Sequence, residues 1–383
     1  MSEHLTQRDA QAIRRGFDAT PARSHSLNAD AYVKQAWFDL EGPAVFACAW
    51  RWLCHGESLR EAGAYVTAEI AGRPILVVRG RDGVLRGFYN VCKHRAHHLL
   101  TGSGRTSRIS CPYHAWTYDL TGGLRAAPHT EHLEDFDKDA IRLDPVRVEE
   151  FCGFVFVNLA PDAAPLAEQS EGLAAEVARY APDIDRLTHA HRLTYDIRSN
   201  WKNVVDNFLE CYHCRIAHKD FVTLVDMDTY KVTTHGIYSS HMAEAGTQAN
   251  SAYPVDDATV RDHAVWWLWP TTCMMRYPGR GNFLILNVIP LGPDRTLETY
   301  DFYLEEPTPN EAEREAIRYI DEVLQREDIE LVESVQKGMA TPAFTQGRLV
   351  VDPEGSGLSE HAVHHFHGLV LDAYERVLTG GQP

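Results

Sequence analysis

Apolar residues come in two textures along this chain. From about residue 46 to 158 they form short runs of strand length, such as "PILVVRG" (74–80) and "FCGFVFVNL" (151–159). "RDG" (81–83) and "TGG" (121–123) between such runs read as hairpin turns. Residues 1–45 read as helical and irregular. The Ala/Pro-rich "APDAAPLAEQ" (160–169) marks a domain boundary. These features predict an N-terminal segment (1–45), an all-β domain (46–158) and a second domain (159–383).

In the second domain "HAVWWLWPTTCMMRYP", "NFLILNVIPLG" and "RTLETYDFYLE" read as antiparallel strands joined by "GRG" and "GPD" turns. "PNEAEREAIRYIDEVLQREDIELVESVQKGM" (309–339) then has helical periodicity, opening on Pro-Asn and closing near Gly338. Strands followed by helices predict an α+β domain with a helix lying across a sheet.

Two cysteines in the β half stand beside histidines: Cys92-x-His94 and, sixteen residues on, Cys111-x-x-His114. Such a set can hold one tetrahedral zinc, or a two-iron, two-sulfur cluster with two Cys on one iron and two His on the other. Zinc fingers usually pair like with like and carry the His pair on a helix. Here each loop mixes the types and the surroundings are β, which favours the cluster. His97 and His98 are surplus to that set, and Trp116 reads as packing beside it. Eight cysteines in 383 residues are too sparse for a disulfide scaffold.

A cluster of this kind only moves electrons, so the chain needs a site that uses them. "NVVDNFLECYHCRIAHKDF" offers His213-x4-His218. On an ideal helix two such rings stand about 140° apart, so one metal joins them only where the helix bulges or ends. Two His and one carboxylate make an oxygen-activating Fe(II) site with open positions. Asp328 is the candidate carboxylate. It shares a helical face with Leu324, Leu331, Val332 and Val335, where an unpaired charge is costly. Asp321 and Asp206 are its rivals. Glu210, three residues before His213, is placed to orient that histidine or to carry electrons to it. Cys211 and Cys214 read as small buried thiols near the iron site.

Together these motifs resemble the oxygenase α subunits of the Rieske non-haem iron oxygenases, over nearly the whole chain. Cys92, His94, Cys111 and His114 match the Rieske signature. His213, His218 and Asp328 match the mononuclear iron signature. The resemblance implies an all-β Rieske [2Fe–2S] domain and a catalytic domain of antiparallel sheet with helices on one face, the helix-grip or START-like fold. It implies a homotrimer in which one subunit's cluster faces the next subunit's iron through Glu210. It also implies a separate flavin/iron–sulfur reductase bringing electrons from NAD(P)H, and O2 as co-substrate. Ring-hydroxylating dioxygenases usually carry Asp where Glu210 stands. With the "EDIELVESVQ" helix and the short chain, the resemblance is to the choline, glycine betaine and carnitine oxygenases, and the expected reaction is hydroxylation of a quaternary ammonium substrate next to nitrogen, with demethylation or C–N cleavage. The alternative is a ring-hydroxylating or O-demethylating oxygenase of an aromatic acid.

Such a cation asks for an aromatic pocket. Trp267 and Trp269 alternate onto one strand face, and Tyr212, Tyr277 and Phe283 are further candidates. A net charge of −17 suits a cationic substrate and argues against nucleic acid. No apolar run is long enough to span a membrane, and the N-terminus lacks a secretory h-region, so the expected location is cytoplasmic.

Overall fold

A computed structural model of the chain describes residues 5–246, 250–255 and 258–380. It divides into two compact units, Phe46–Glu168 and Met1–Val45 with Gln169–Gln382. The sequence places a boundary at 158/159 and sets residues 1–45 apart; the structure differs on both. Residues 160–168 close the first unit. Leu166 is buried, its N–H donates to Glu149 (2.8 Å), and the Trp50 indole donates to the Ala164 carbonyl (3.0 Å). Residues 1–45 join the second unit through buried polar anchors that apolar periodicity does not report. Glu41 pairs with Lys202 and accepts from Trp201 (2.6 Å), while Asn200 donates to the Tyr32 carbonyl (3.0 Å).

The first unit is built from β1 (Arg51–His55), β2 (Ala64–Ile70), β3 (Arg73–Arg79), β4 (Leu85–Tyr89), β5 (Ser103–Arg105), β6 (Ile109–Ser110), β7 (Thr117–Tyr118), β8 (Leu124–Ala126), β9 (Pro145–Phe151) and β10 (Phe154–Asn158). An antiparallel sheet runs β1-β10-β9-β4-β3-β2-β5, and β6-β7-β8 form a small second sheet. "FCGFVFVNL" is two strands rather than one. Cys152 and Gly153 both take positive φ (49° and 79°), which is the two-residue turn that matches strand twist. Leu76, Phe88, Ile109, Trp116 and Tyr118 share one core with Cys92 and Cys111.

The second unit holds β11 (Thr188–Ile197), β12 (Lys231–His235), β13 (Tyr238–Ala243), β14 (His263–Leu268), β15 (Thr272–Arg276), β16 (Asn282–Gly292) and β17 (Arg295–Leu304). They form one antiparallel sheet in the order β11-β17-β16-β15-β14-β13-β12. Its main helices are α1 (Trp201–Phe208), α2 (Cys214–Ala217), α3 (Glu311–Tyr319), α4 (Gln325–Met339) and α5 (His361–Leu378). Trp267, Cys273, Leu286 and Tyr300 are cross-strand partners in one row, so they point to one face. A short helix, Leu173–Tyr180, covers the opposite face, where Glu176 accepts from the Trp266 indole (2.9 Å). Asn310 caps α3 in a reciprocal box with Glu313. The predicted long helix is continuous but carries a π-turn at Ile320–Leu324. Among the described residues no helix is long and apolar enough to cross a membrane.

Candidate active site and metal centres

The two mixed Cys–His loops of the first unit fold alike. The Cys92 N–H donates to the His97 carbonyl (2.9 Å) and the Ala96 N–H to the Cys92 carbonyl (3.0 Å). In the second loop Cys111 donates to Trp116 (2.8 Å) and Ala115 to Cys111 (3.0 Å). Ala96 and Ala115 each take the left-handed conformation, at φ 57° and 59°. Each loop thereby turns its cysteine into the core and its histidine out to solvent. The His94 and His114 ring centroids lie 4.7 Å apart, and His94 stacks on Trp116 at 4.9 Å. The Tyr118 hydroxyl accepts from the Lys93 N–H (3.0 Å) and lies 3.4 Å from the Cys92 sulfur. Burial pushes the Cys111 thiol up, so a thiolate there needs positive charge beside it. Two buried sulfurs and two exposed imidazoles on matched loops fit a [2Fe–2S] cluster ligated by Cys and His.

In the second unit, the Asn200 side chain caps α1 by accepting from the Lys202 N–H (3.0 Å). The helix ends at Phe208, and Glu210 stands beyond it. The Glu210 carboxylate accepts from the N–H groups of Tyr212 and His213 and bonds the His213 Nδ1. Glu210 and His213 therefore meet across a turn rather than along a helical face. His213 precedes the single turn of α2, and His218 follows it at φ −106° and ψ 70°. With helix broken on both sides, the two Nε2 atoms come within 3.0 Å.

Asp328 reaches the same point from α4. Its Oδ1 lies 3.1 Å from His218 Nε2 and 3.6 Å from His213 Nε2, and it is buried without a hydrogen-bond partner. Each imidazole has its other nitrogen held by a carboxylate: Glu210 on His213, and Glu327 on His218 at 2.8 Å. Burial opposes charge on His213, but Asp328 and Glu210 outweigh it and hold its pKa up at about 10. Burial likewise opposes charge on Asp328, but the two histidines hold it down at about 2. Two ring nitrogens and an orphaned carboxylate oxygen converging on one point fit a divalent cation, with carboxylates orienting both rings.

The rival carboxylates are engaged elsewhere. Asp321 accepts from Tyr195 (2.7 Å), and Asp206 bonds Tyr32 (2.6 Å) and His367 (2.9 Å). Asp321 lies within the π-turn, which breaks the regular wheel on which it shares a face with Asp328. That wheel also overstates burial: Leu324 and Val332 are buried, but Leu331 and Val335 are 37% and 45% exposed. Glu327, which the wheel assigns to the polar side, bonds His218. Its sequence signal is only its place beside Asp328. Cys211 and Cys214 are joined in a disulfide rather than standing as two thiols, and both line the chamber.

The donor atoms open onto a chamber of about 90 Å³, walled by Phe221, Tyr230, His263, Tyr277 and Tyr300 with Glu298 among them. Of the five aromatics expected there, Tyr277 alone lines it. Trp267 points to the correct face, but α5 covers it with Phe366 (5.4 Å) and its indole donates to Pro270 (3.2 Å). Trp269 lies past the end of β14 against Trp267 and Phe366. Phe283 stacks on Trp266, on the far face. Tyr212 is 49% exposed and outside the chamber. Tyr300 was within reach of the strand pattern, since it alternates with Glu298 in "LETYDF"; Tyr230 has no local signal. Burial, then the charge of Asp328, pushes the Glu298 carboxyl up to about 8. Burial pushes His263 and His241 down to about 3, and Nδ1 of each has no partner.

A β unit with a donor set of two cysteines and two histidines, and an α+β unit with one of two histidines and a carboxylate, define an iron–sulfur oxygenase. The comparisons agree. Residues 184–376 match the family model of the ring hydroxylating alpha subunit (catalytic domain), and residues 49–137 match that of the Rieske [2Fe–2S] domain. The carnitine monooxygenase oxygenase subunit of Escherichia coli (strain K12) is 40% identical, over 94% of this chain and 96% of that protein. The chloroplastic choline monooxygenase of Atriplex hortensis is 30% identical, over 93% and 80%. A solved quaternary ammonium Rieske monooxygenase is 34% identical and superposes with a TM-score of 0.87, covering 98% of this chain and all (100%) of the other. The chain belongs to the oxygenase α subunits of the Rieske non-haem iron oxygenases. It is an O2-dependent oxidoreductase whose cofactors are a [2Fe–2S] cluster and a mononuclear non-haem iron.

Proposed function

We propose that this subunit hydroxylates a quaternary ammonium substrate at a carbon next to nitrogen, as a monooxygenase, so that the product loses a methyl group or its C–N bond. The observation that carries this reading is the chamber. Its wall of Phe221, Tyr230, Tyr277 and Tyr300 surrounds the point where His213, His218 and Asp328 converge. A quaternary ammonium has no N–H to donate, so ring faces and charge are what recognise it. The relatives support the reading: they act on carnitine and choline, and one related structure holds L-carnitine.

In this proposal Cys92, His94, Cys111 and His114 hold the cluster, and His213, His218 and Asp328 hold the iron. When bound, the cluster supplies single electrons and the iron activates O2 for C–H hydroxylation. Glu210 and Glu327 fix the two imidazoles by their Nδ1 atoms, keeping each Nε2 on the metal side. The exposed edges of His94 and His114 are where electrons leave the first unit, and Glu210 receives them. The aromatic walls exclude water and orient the substrate carbon. Electrons come from NAD(P)H through a separate flavin/iron–sulfur reductase in the cytoplasm. The working form is a homotrimer in which one subunit's cluster serves the next subunit's iron. The exposed apolar side chains Leu331, Val335 and Phe344 border the same depression as Glu210, which supports docking there.

The test is turnover with a Rieske reductase on a panel of carnitine, γ-butyrobetaine, choline, glycine betaine and aromatic acids. Formaldehyde or another aldehyde from a quaternary amine supports the reading. Diols or phenols from the aromatic acids, with no turnover of the amines, overturn it.

A further inference from the structure

We infer that Glu298 is the counter-charge for the substrate's ammonium group, an anion built into the aromatic chamber that selects a permanent cation over a neutral molecule of the same shape. The inference rests on the quaternary ammonium reading above and names the residue that enforces it.

Glu298 lies on β17, two residues before Tyr300, so both side chains leave the same face of the sheet. Both line the chamber, and Glu298 is 2% exposed. Its sheet neighbours are Val288 on β16 and Tyr195 on β11. The Tyr195 hydroxyl is turned away to Asp321. The side-chain hydrogen bond that Glu298 does make comes from the amide of Gln325, itself 3% exposed.

Gln325 is the first residue of α4, directly after the π-turn, and Asp328 follows three residues later. One helix start therefore places both the metal-facing carboxylate and the amide that holds Glu298. The amide orients the carboxylate but brings no charge. Among the described residues lining the chamber there is no Lys or Arg, and its other acids are Glu210 and Asp328. A buried carboxylate without a cation is costly, whereas an apolar residue at this strand position would satisfy the core. Without a cation beside it the carboxyl avoids that cost by keeping its proton, as its rise to about 8 records; a ligand cation draws out the charged form.

The geometry suits a cation that cannot hydrogen-bond. Phe221, Tyr230, Tyr277 and Tyr300 line the chamber beside the buried Glu298, and a permanent cation seated among them stabilises its carboxylate form. The oxidised carbon is bonded directly to the charged nitrogen, so the cation has to sit in the same chamber as the metal. Glu298 and Asp328 meet that condition, since both line it. A neutral substrate gains the aromatic contacts but nothing from Glu298, whose charged form it does not stabilise.

The experiment is calorimetric titration of the loaded oxygenase without reductase, using choline, L-carnitine and the carbon isostere 3,3-dimethylbutan-1-ol. Wild type binds choline at least about 30-fold more tightly than the isostere. Glu298→Gln keeps the shape and still accepts from Gln325. It weakens both cations about 30-fold and moves the isostere less than about threefold, with cluster spectrum and iron content unchanged. Glu298→Asp recovers part of the loss. Cation binding that is equal in wild type and Glu298→Gln overturns the inference and leaves the quaternary ammonium reading standing. Should Glu298→Gln not fold, equal wild-type affinity for choline and its isostere overturns it instead. A wild type that binds none of the cations overturns the quaternary ammonium reading, and this inference with it.

Discussion

Glu210 and His213 are joined through Oε1 and Nδ1, on the ring edge opposite the nitrogen that faces His218 and Asp328. A single imidazole thus separates the carboxylate from the metal point. The same Glu210 carboxylate also gathers two backbone N–H groups of the turn that delivers His213. Its role in holding the ring and its role in passing electrons are therefore distinct in principle. Glu210→Gln keeps an acceptor for both N–H groups. It should leave the cluster bound, weaken the iron no more than Glu327→Gln does and, compared at full iron loading, slow single-turnover electron transfer about tenfold or more. An unchanged single-turnover rate would remove Glu210 from the electron route.

Asp328→Ala takes away the one carboxylate oxygen at the convergence point. Turnover should be abolished, and iron should fall from about three to about two atoms per chain at a constant two acid-labile sulfides. The visible spectrum of the cluster should not change, because its four donors lie in the other unit. A variant that still hydroxylates would show that Asp328 is not a ligand.

Glu327 touches only the far side of His218, so Glu327→Gln tests orientation rather than ligation. Affinity for the mononuclear iron should drop by about 10- to 100-fold, read by competition with a chelator, again with the cluster spectrum intact. The loss should be partial where that of Asp328→Ala is complete. Equal iron affinity in Glu327→Gln and wild type would make the contact incidental.

His241 and His263 are buried neutral, and burial holds their pKa values near 3, against about 6.5 in an unfolded chain. The unfolded state takes up protons that the folded state refuses. Their contribution to stability is therefore complete above pH 6.5 and is lost as pH falls from there toward 3. The slope is about 1.4 kcal/mol per pH unit for each histidine. The thermal midpoint should fall between about pH 7 and pH 5, and His241→Gln should flatten that fall. A midpoint equally pH-dependent in wild type and variant would refute the assignment.

The candidate metal donors were legible in the sequence because ligand sets impose short spacings. Cys92-x-His94 and Cys111-x-x-His114 each fit on one turn of a loop, and His213 and His218 flank one turn of helix. Asp328, more than a hundred residues away, was legible for another reason: a carboxylate among apolar helical positions is an anomaly that one dimension records. Glu327 was not, since a Glu beside an Asp on a charged helix looks like any solvated acid.

The aromatic pocket shows the opposite case. Alternation in "HAVWWLWP" assigns Trp267 to the inner face, and the structure agrees. Whether an inner-face ring meets substrate or core depends on what covers it, and the cover is α5, nearly a hundred residues later, through Phe366. Tyr230 and Phe221 reach the chamber from loops and a short helix with no strand periodicity to betray them.

By itself, the sequence determined the candidate donor atoms and the strand faces of this oxygenase, because both follow from bond geometry repeated every few residues. Only the tertiary structure decided which carboxylate turns which imidazole, which aromatics are walls rather than core, and that Glu298 lines the chamber with no Lys or Arg among the described residues there. Those are distances between segments far apart in the chain, set by how helices pack on a sheet.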